Sequence, residues 1–182
     1  MDARGSLPFY PRTDQIAASR ETTQDQLPRY GFGAEFGAHV FPFRWKLVTF
    51  GFGASYHLSR GSRTPPTPDG ATEPSGPTVE TRFQAFAPQV SLNFGHRMGW
   101  STLSAGYGTA KYRAWRADLT EDEGQRTGAI NFGGGARWFL NERLAVSLDL
   151  RFHRLGAQPQ AATSYGHPAM QIIVLNAGVA FR

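Results

Sequence analysis

Residues 169–182 read Ala169-Met-Gln-Ile-Ile-Val-Leu-Asn-Ala-Gly-Val-Ala-Phe-Arg182. Ile173, Leu175, Ala177, Val179 and Phe181 alternate with Ile172, Val174, Asn176, Gly178 and Ala180. A period of two sends successive side chains to opposite faces, so this stretch is a strand with one fully apolar face that ends on an aromatic.

The same period recurs upstream. Leu144, Val146, Leu148, Leu150 and Phe152 oppose Ala145, Ser147, Asp149, Arg151 and His153. Ile130, Phe132, Gly134, Ala136, Trp138 and Leu140 oppose Asn131, Gly133, Gly135, Arg137 and Phe139. Alternation also marks strands over 100–115, 80–95, 46–58 and 30–41, the last with Tyr30, Phe32, Phe36 and Val40 opposite Gly31, Gly33, Glu35, Gly37 and His39. Pro88 inside the 80–95 segment predicts a bulge or a local edge. Seven strands are thus visible. Residues 1–29, with Pro8, Pro11 and Pro28, read as a loop or mobile N-terminal arm, so the repeating architecture is expected over 30–182.

The connections alternate in length. Short turns are expected at 42–45, 96–99 and 141–143, and long polar segments at 59–79, 116–128 and 156–168, the first of them carrying Pro65, Pro66, Pro68, Pro74 and Pro77. Glycines gather on the face opposite the aromatics, at 31, 33, 37, 51, 53, 106, 108, 133, 135 and 178.

Composition narrows the classes. A chain of 182 residues with 40% hydrophobic and 13% aromatic content is one folded domain. It holds no apolar run of about 18 residues, which excludes a transmembrane helix but not crossing by strands, whose hydropathy trace is much weaker. Cysteine is absent, a weak fit to an oxidising compartment. The net charge of +5 comes mainly from singly scattered Arg, with Lys only at 46 and 111. Such a pattern lacks the clustered basic footprint of a nucleic-acid binder.

The orientation of the faces follows. A soluble barrel would turn the Phe/Leu/Val face inward and leave a bare Gly, Ser and Ala surface in water, whereas lipid outside and small or polar residues inside use every strand's alternation. Aromatics fall in two belts. Trp45, Trp100 and Trp138 lie near the short turns, and Tyr56, Tyr112 and Trp115 near the long loops, as expected of residues at two membrane interfaces.

With these features together, residues 30–182 resemble a small OmpA/OmpX-type bacterial outer-membrane β-barrel, and the last strand is similar to the C-terminal strand of that family. The fold expected is all-β, an antiparallel up-and-down transmembrane barrel, with seven strands visible and eight in the full-length protein. The resemblance implies a bacterial outer-membrane location, outer-membrane lipid and lipopolysaccharide as surroundings, and recognition of Ile173, Leu175, Val179 and Phe181 by the barrel-assembly machinery. It implies short turns in the periplasm and long loops outside.

Candidate chemistry lies in the lumen. Counting back through the turn at Asn141 sets Gly133 and Gly135 opposite Arg151 and Asp149, leaving room for long charged side chains. Glu35, Arg137, Asp149 and Arg151 are therefore expected to form a lumen charge network, as filling or as a gate. His39, His57 and His153 share the lumen face at different depths, and no metal or cofactor is expected. Ser164 and His167 in the last long loop carry the competing reading, an outer-membrane enzyme acting on lipid, of acyltransferase or lipid A deacylase type. A soluble ligand-carrying barrel is the third reading. The expected role is structural or surface-interactive, without catalysis.

Two features bear on the N-terminus. The opening Met-Asp-Ala-Arg-Gly-Ser has no signal-peptide pattern. With seven strands, the strands at 30–41 and 169–182 would both run away from the long-loop side and could pair only in parallel, which predicts a missing first strand before residue 1 and places 1–29 as the first outer loop.

Overall fold

In the computed structural model all residues are described except 68, 71, 97 and 182, together with the side chain of residue 96. Arg182, which trails the terminal aromatic, therefore lies outside the described residues, as do parts of the 59–79 loop and of the turn near 97. Among the described residues the strands are β1 (Asp2–Phe9), β2 (Phe32–Trp45), β3 (Val48–Arg63), β4 (Val79–His96), β5 (Gly99–Arg116), β6 (Arg126–Phe139), β7 (Leu144–Leu155) and β8 (Met170–Phe181). Each pairs antiparallel with the next, and β8 returns to β1 to close the barrel. Closure leaves no strand edge unpaired, a requirement for backbone that crosses hydrocarbon.

The first strand corrects the reading of residues 1–29. Asp2–Phe9 forms a ladder with β8 from Asp2↔Ala180 to Phe9↔Ile173 and a second with β2. The eighth strand is thus present, and no parallel pair arises. The loop that follows spans only 10–31 and is structured: helix α1 (Asp14–Ala18) is capped by Thr13, whose side chain accepts from the Ile16 N–H, and a 3-10 turn covers Gln24–Gln26. Two local expectations also change. Residues 42–45 belong to β2, and the tight turn is Lys46-Leu47, with Lys46 at φ 53°. Pro88 produces no register shift, although the β4–β5 ladder skips Ala87 and Pro88 for want of a proline N–H. The bulge lies instead in β2, between Val40 and Phe43.

The apolar face points outward, as the alternation implies. Phe86, Val90, Leu92 and Phe94 on β4 are exposed, as are Val146, Leu148 and Leu150 on β7. The stretch from Phe86 to Phe94 spans about 20 Å of membrane normal at the strand rise and tilt usual for such barrels, close to the apolar band of about 25 Å that they present. Trp45, Trp138 and Tyr56 are exposed on this surface. The other three candidate interface aromatics are not. Tyr112 is 2% exposed on the lumen parity of β5, and Trp100 shares that parity. Trp115, on the outward parity, is 4% exposed because the Arg82 and Arg113 guanidiniums lie over its ring. For Tyr112 and Trp100 strand parity overrides position along the strand.

Inside, glycine permits close strand approach: a Cβ at Gly133 would overlap the Leu150 carbonyl, and one at Gly178 that of Ala3. Met1 and Phe181 lie at the short-turn end, where the Met1 ammonium donates to the Phe181 carbonyl at 2.8 Å.

Candidate functional site

The lumen has two parts built from the same inward parity. In the half nearer the short turns, charged side chains cross a channel lined by Gly and Ser. Arg4 is the hub, with ion pairs to Asp2 at 2.9 Å, Glu35 at 3.0 Å and Asp149 at 3.5 Å. Arg151 reaches Asp149 at 3.2 Å and Glu35 at 3.7 Å, and donates to the Gln89 side-chain oxygen at 2.8 Å and to Ser104 Oγ at 3.2 Å. Asn176 donates to Glu35 and Asp149 and accepts from Ser6. Arg137 pairs with Asp2 at 2.9 Å.

Three guanidiniums thus balance three carboxylates, all on strands and nearly all buried. Burying any of these charges alone would be prohibitive, whereas interlocked pairs with further hydrogen bonds offset the desolvation. The structure brings Glu35, Asp149 and Arg151 together, and Gly133↔Arg151 and Gly135↔Asp149 are paired in the register that counting through the turn predicts. Arg137 joins through Asp2 rather than through Asp149. Sequence reasoning misses Asp2 and Arg4. Their signal is the alternation Asp2, Arg4, Ser6 against Ala3, Gly5, Leu7, Phe9, too short and too poor in bulky residues to stand out.

Toward the long loops the lumen changes character. His57, Phe83 and His153 form a ring cluster with centroids 5.2–5.8 Å apart. His57 Nε2 lies 3.0 Å from Ser59 Oγ, which also accepts from the Tyr10 hydroxyl at 3.1 Å. His39 sits near the other end, with Nδ1 3.7 Å from Asp2, so the three histidines do not converge. Among the described residues no group of three or more His, Cys, Asp or Glu is placed to hold a metal.

Above the rings an apolar plug fills the barrel mouth. Ile16, Ala17 and Leu27 of the 10–31 loop pack in one buried cluster with Val79, Phe83, Tyr112, Leu155, Met170 and Ile172. Arg20, 1% exposed, fastens it: Nε donates to the Ala114 carbonyl at 2.9 Å, Nη1 to Ser19 Oγ at 2.6 Å and Nη2 to the Gly166 carbonyl at 2.8 Å. Burial disfavours its charge, which Asp122 at 3.9 Å and the Tyr165 ring beneath the guanidinium support. One side chain thereby joins the first loop to the end of β5 and to the 156–169 loop, while the Glu123 N–H donates to the Thr163 carbonyl to tie in the 117–125 loop.

Ser164 and His167 lie in this crown but do not form a dyad. Ser164 Oγ accepts from the Gly166 N–H at 3.4 Å, and His167 Nδ1 lies 2.9 Å from the Pro168 carbonyl with its ring edge-on to Tyr112. Burial holds the His167 imidazole below its ordinary pKa.

No protein-family model matches the sequence, and no curated protein does. Solved structures do. Neisserial surface protein A aligns over 98% of this chain and 92% of its own, with a TM-score of 0.60 and 12% identity. The outer membrane protease OmpT from Escherichia coli aligns over 84% of this chain and 63% of its own, with a TM-score of 0.51 and 9% identity. At these identities the likeness is one of fold: the chain is a closed antiparallel eight-stranded β-barrel similar in fold to these outer-membrane proteins.

Proposed function

We propose that this chain resides in a bacterial outer membrane as a non-catalytic barrel with a structural or surface-interaction role, its long loops outside and its short turns in the periplasm. The observation that carries this reading is closure from within. The ion network leaves a space of only about 20 Å³ in mid-lumen, and the apolar plug stapled by Arg20 covers the mouth above it. A conduit needs a continuous aqueous path, whereas a platform for contacts needs an ordered crown.

Outer-membrane lipid and lipopolysaccharide are the proposed surroundings of the apolar band. Its upper rim carries Arg60, Arg82, Lys111 and Arg126, suited to lipid phosphates. Ile173, Leu175, Val179 and Phe181 on β8 are the proposed contact for the barrel-assembly machinery.

Two measurements test the reading. An epitope inserted within 64–78 should be labelled on intact cells, and purified protein in planar bilayers should give closed traces. Steady single-channel current, or labelling only after the outer membrane is breached, would overturn the proposal.

A further inference from the structure

At the short-turn end the lumen opens into a cavity of about 460 Å³, within the range of small-molecule sites. It is blind, because the ion network forms its floor. One wall is aromatic: Phe41 and Trp100 have centroids 5.3 Å apart, and Trp100 and Phe139 meet edge-on at 5.4 Å. Arg44, Arg137 and His39 stand around it.

Three features distinguish this wall from ordinary lumen filling. Phe43, Trp45, Phe94 and Trp138 near the short turns face outward, whereas these three rings face inward. Phe41 does so by the same parity as Glu35 and His39, and the register slip between Val40 and Phe43 turns Phe43 outward and brings Arg44 to the mouth of the cavity. Gly51 makes room for Phe41, since a Cβ there would lie 2.8 Å from the Phe41 ring.

Donors are the second feature. The donors at the cavity are the Arg44 and Arg137 guanidiniums, since Trp100 Nε1 is fully covered and His39 Nδ1 faces Asp2 at 3.7 Å. The third is charge. Arg137 commits Nη2 to Asp2 and Arg44 commits Nε to the Lys46 carbonyl, so both guanidiniums keep further donors and the pair exceeds Asp2 by one positive charge.

We propose that this cavity binds a small carboxylate carried on a flat apolar body. The body lies against Phe41, Trp100 and Phe139. The carboxylate accepts from the Arg137 and Arg44 guanidiniums, which recognise it by charge-assisted hydrogen bonds. Under the orientation proposed above the site opens to the periplasm, but binding itself does not depend on that orientation.

The test uses the full chain in lipid nanodiscs with para-fluorobenzoate as probe. Fluorine NMR should show saturable broadening, and the indole N–H signal that disappears in Trp100→Phe should shift while those of Trp45 and Trp138 stay still. Para-fluorobenzyl alcohol, which has the same ring without the charge, should bind at least about tenfold more weakly, the order expected when a charge-assisted hydrogen bond is lost. Arg44→Ala and Trp100→Phe should each weaken benzoate binding several-fold with heat-modifiable gel migration unchanged, as both positions lie outside the ion network. Absence of saturable broadening, equal binding of the alcohol, or undiminished affinity in both variants would overturn the site.

Discussion

The two halves of the lumen solve one problem by different physics. Both are narrow spaces lined by inward positions of the same strands, and both are filled. The half near the short turns is filled by charges that neutralise one another across β1, β2, β6 and β7, with Asn176 of β8 bridging them, without any loop. The half near the long loops is filled by apolar side chains, and four of these, Tyr10, Ile16, Ala17 and Leu27, come from a loop that Arg20 holds in place. An ion network on strands is tied to barrel closure itself. A plug on a loop can loosen while the barrel persists.

The largest test of this contrast is Arg4→Ala. It leaves Asp2, Glu35 and Asp149 without their shared partner, and removing one member of a buried ion pair costs about 3–5 kcal/mol. Urea unfolding in lipid vesicles should show that loss in the global transition, because β1 closes the barrel. A transition that barely moves would place the network outside the determinants of closure.

Arg20→Ala should act locally. It strands the Ala114 and Gly166 carbonyls at a cost of about 2–3 kcal/mol, felt in the crown. Hydrogen exchange and limited proteolysis should accelerate over 10–31 and 156–169, with the barrel's own transition nearly unchanged. Equal loosening of β1 would break the distinction between the halves.

His153, at the junction, offers a smaller effect with the opposite sign. Neither ring nitrogen has a partner among the described residues. His153→Leu removes two unsatisfied polar atoms and should be neutral or stabilising by up to about 1 kcal/mol in the same urea assay. A clear destabilisation would show that the imidazole has a polar role in the folded barrel.

The smallest is a pH effect confined to the crown. Burial holds the folded pKa of His167 below its ordinary value of 6.5. Above that value the imidazole is neutral whether the crown is packed or loosened, so its contribution is fully present. Below it the loosened crown takes up a proton that the packed one resists, beside Arg20, and crown stability falls as pH drops. Proteolysis at 156–169 should quicken as the pH is lowered from above to below that ordinary value, and His167→Gln should flatten the dependence. An unchanged dependence in the variant would assign it to other groups.

Much of the barrel is legible in the sequence. On β8, β7 and β6 a bulky outward residue recurs at nearly every second position, and lipid exposure demands that pattern over the full height of the apolar band. β1 is not legible, because its outward set, Ala3, Gly5, Leu7 and Phe9, is half small and Pro8 imitates a loop signal. More than a strand is lost with it, since Arg4, hub of the network, lies there. Tyr112 and Trp100 are misplaced when proximity to a strand end is weighed before parity, and parity sends them inward. In the 10–31 loop, Ile16 and Leu27 look like isolated apolar residues, and no local pattern says that they fold back over the mouth.

Alternation by itself determined seven of the eight strands, the outward face and the alternating connections, because lipid on one side and a narrow lumen on the other constrain each residue according to its own position. Tertiary structure alone decided closure by β1, Asp2 as the partner of Arg137, the outward Phe43 and the plug beneath Arg20. Each depends on which residues from distant parts of the chain reach the same level of the lumen, and that level is set by register, bulge and loop return.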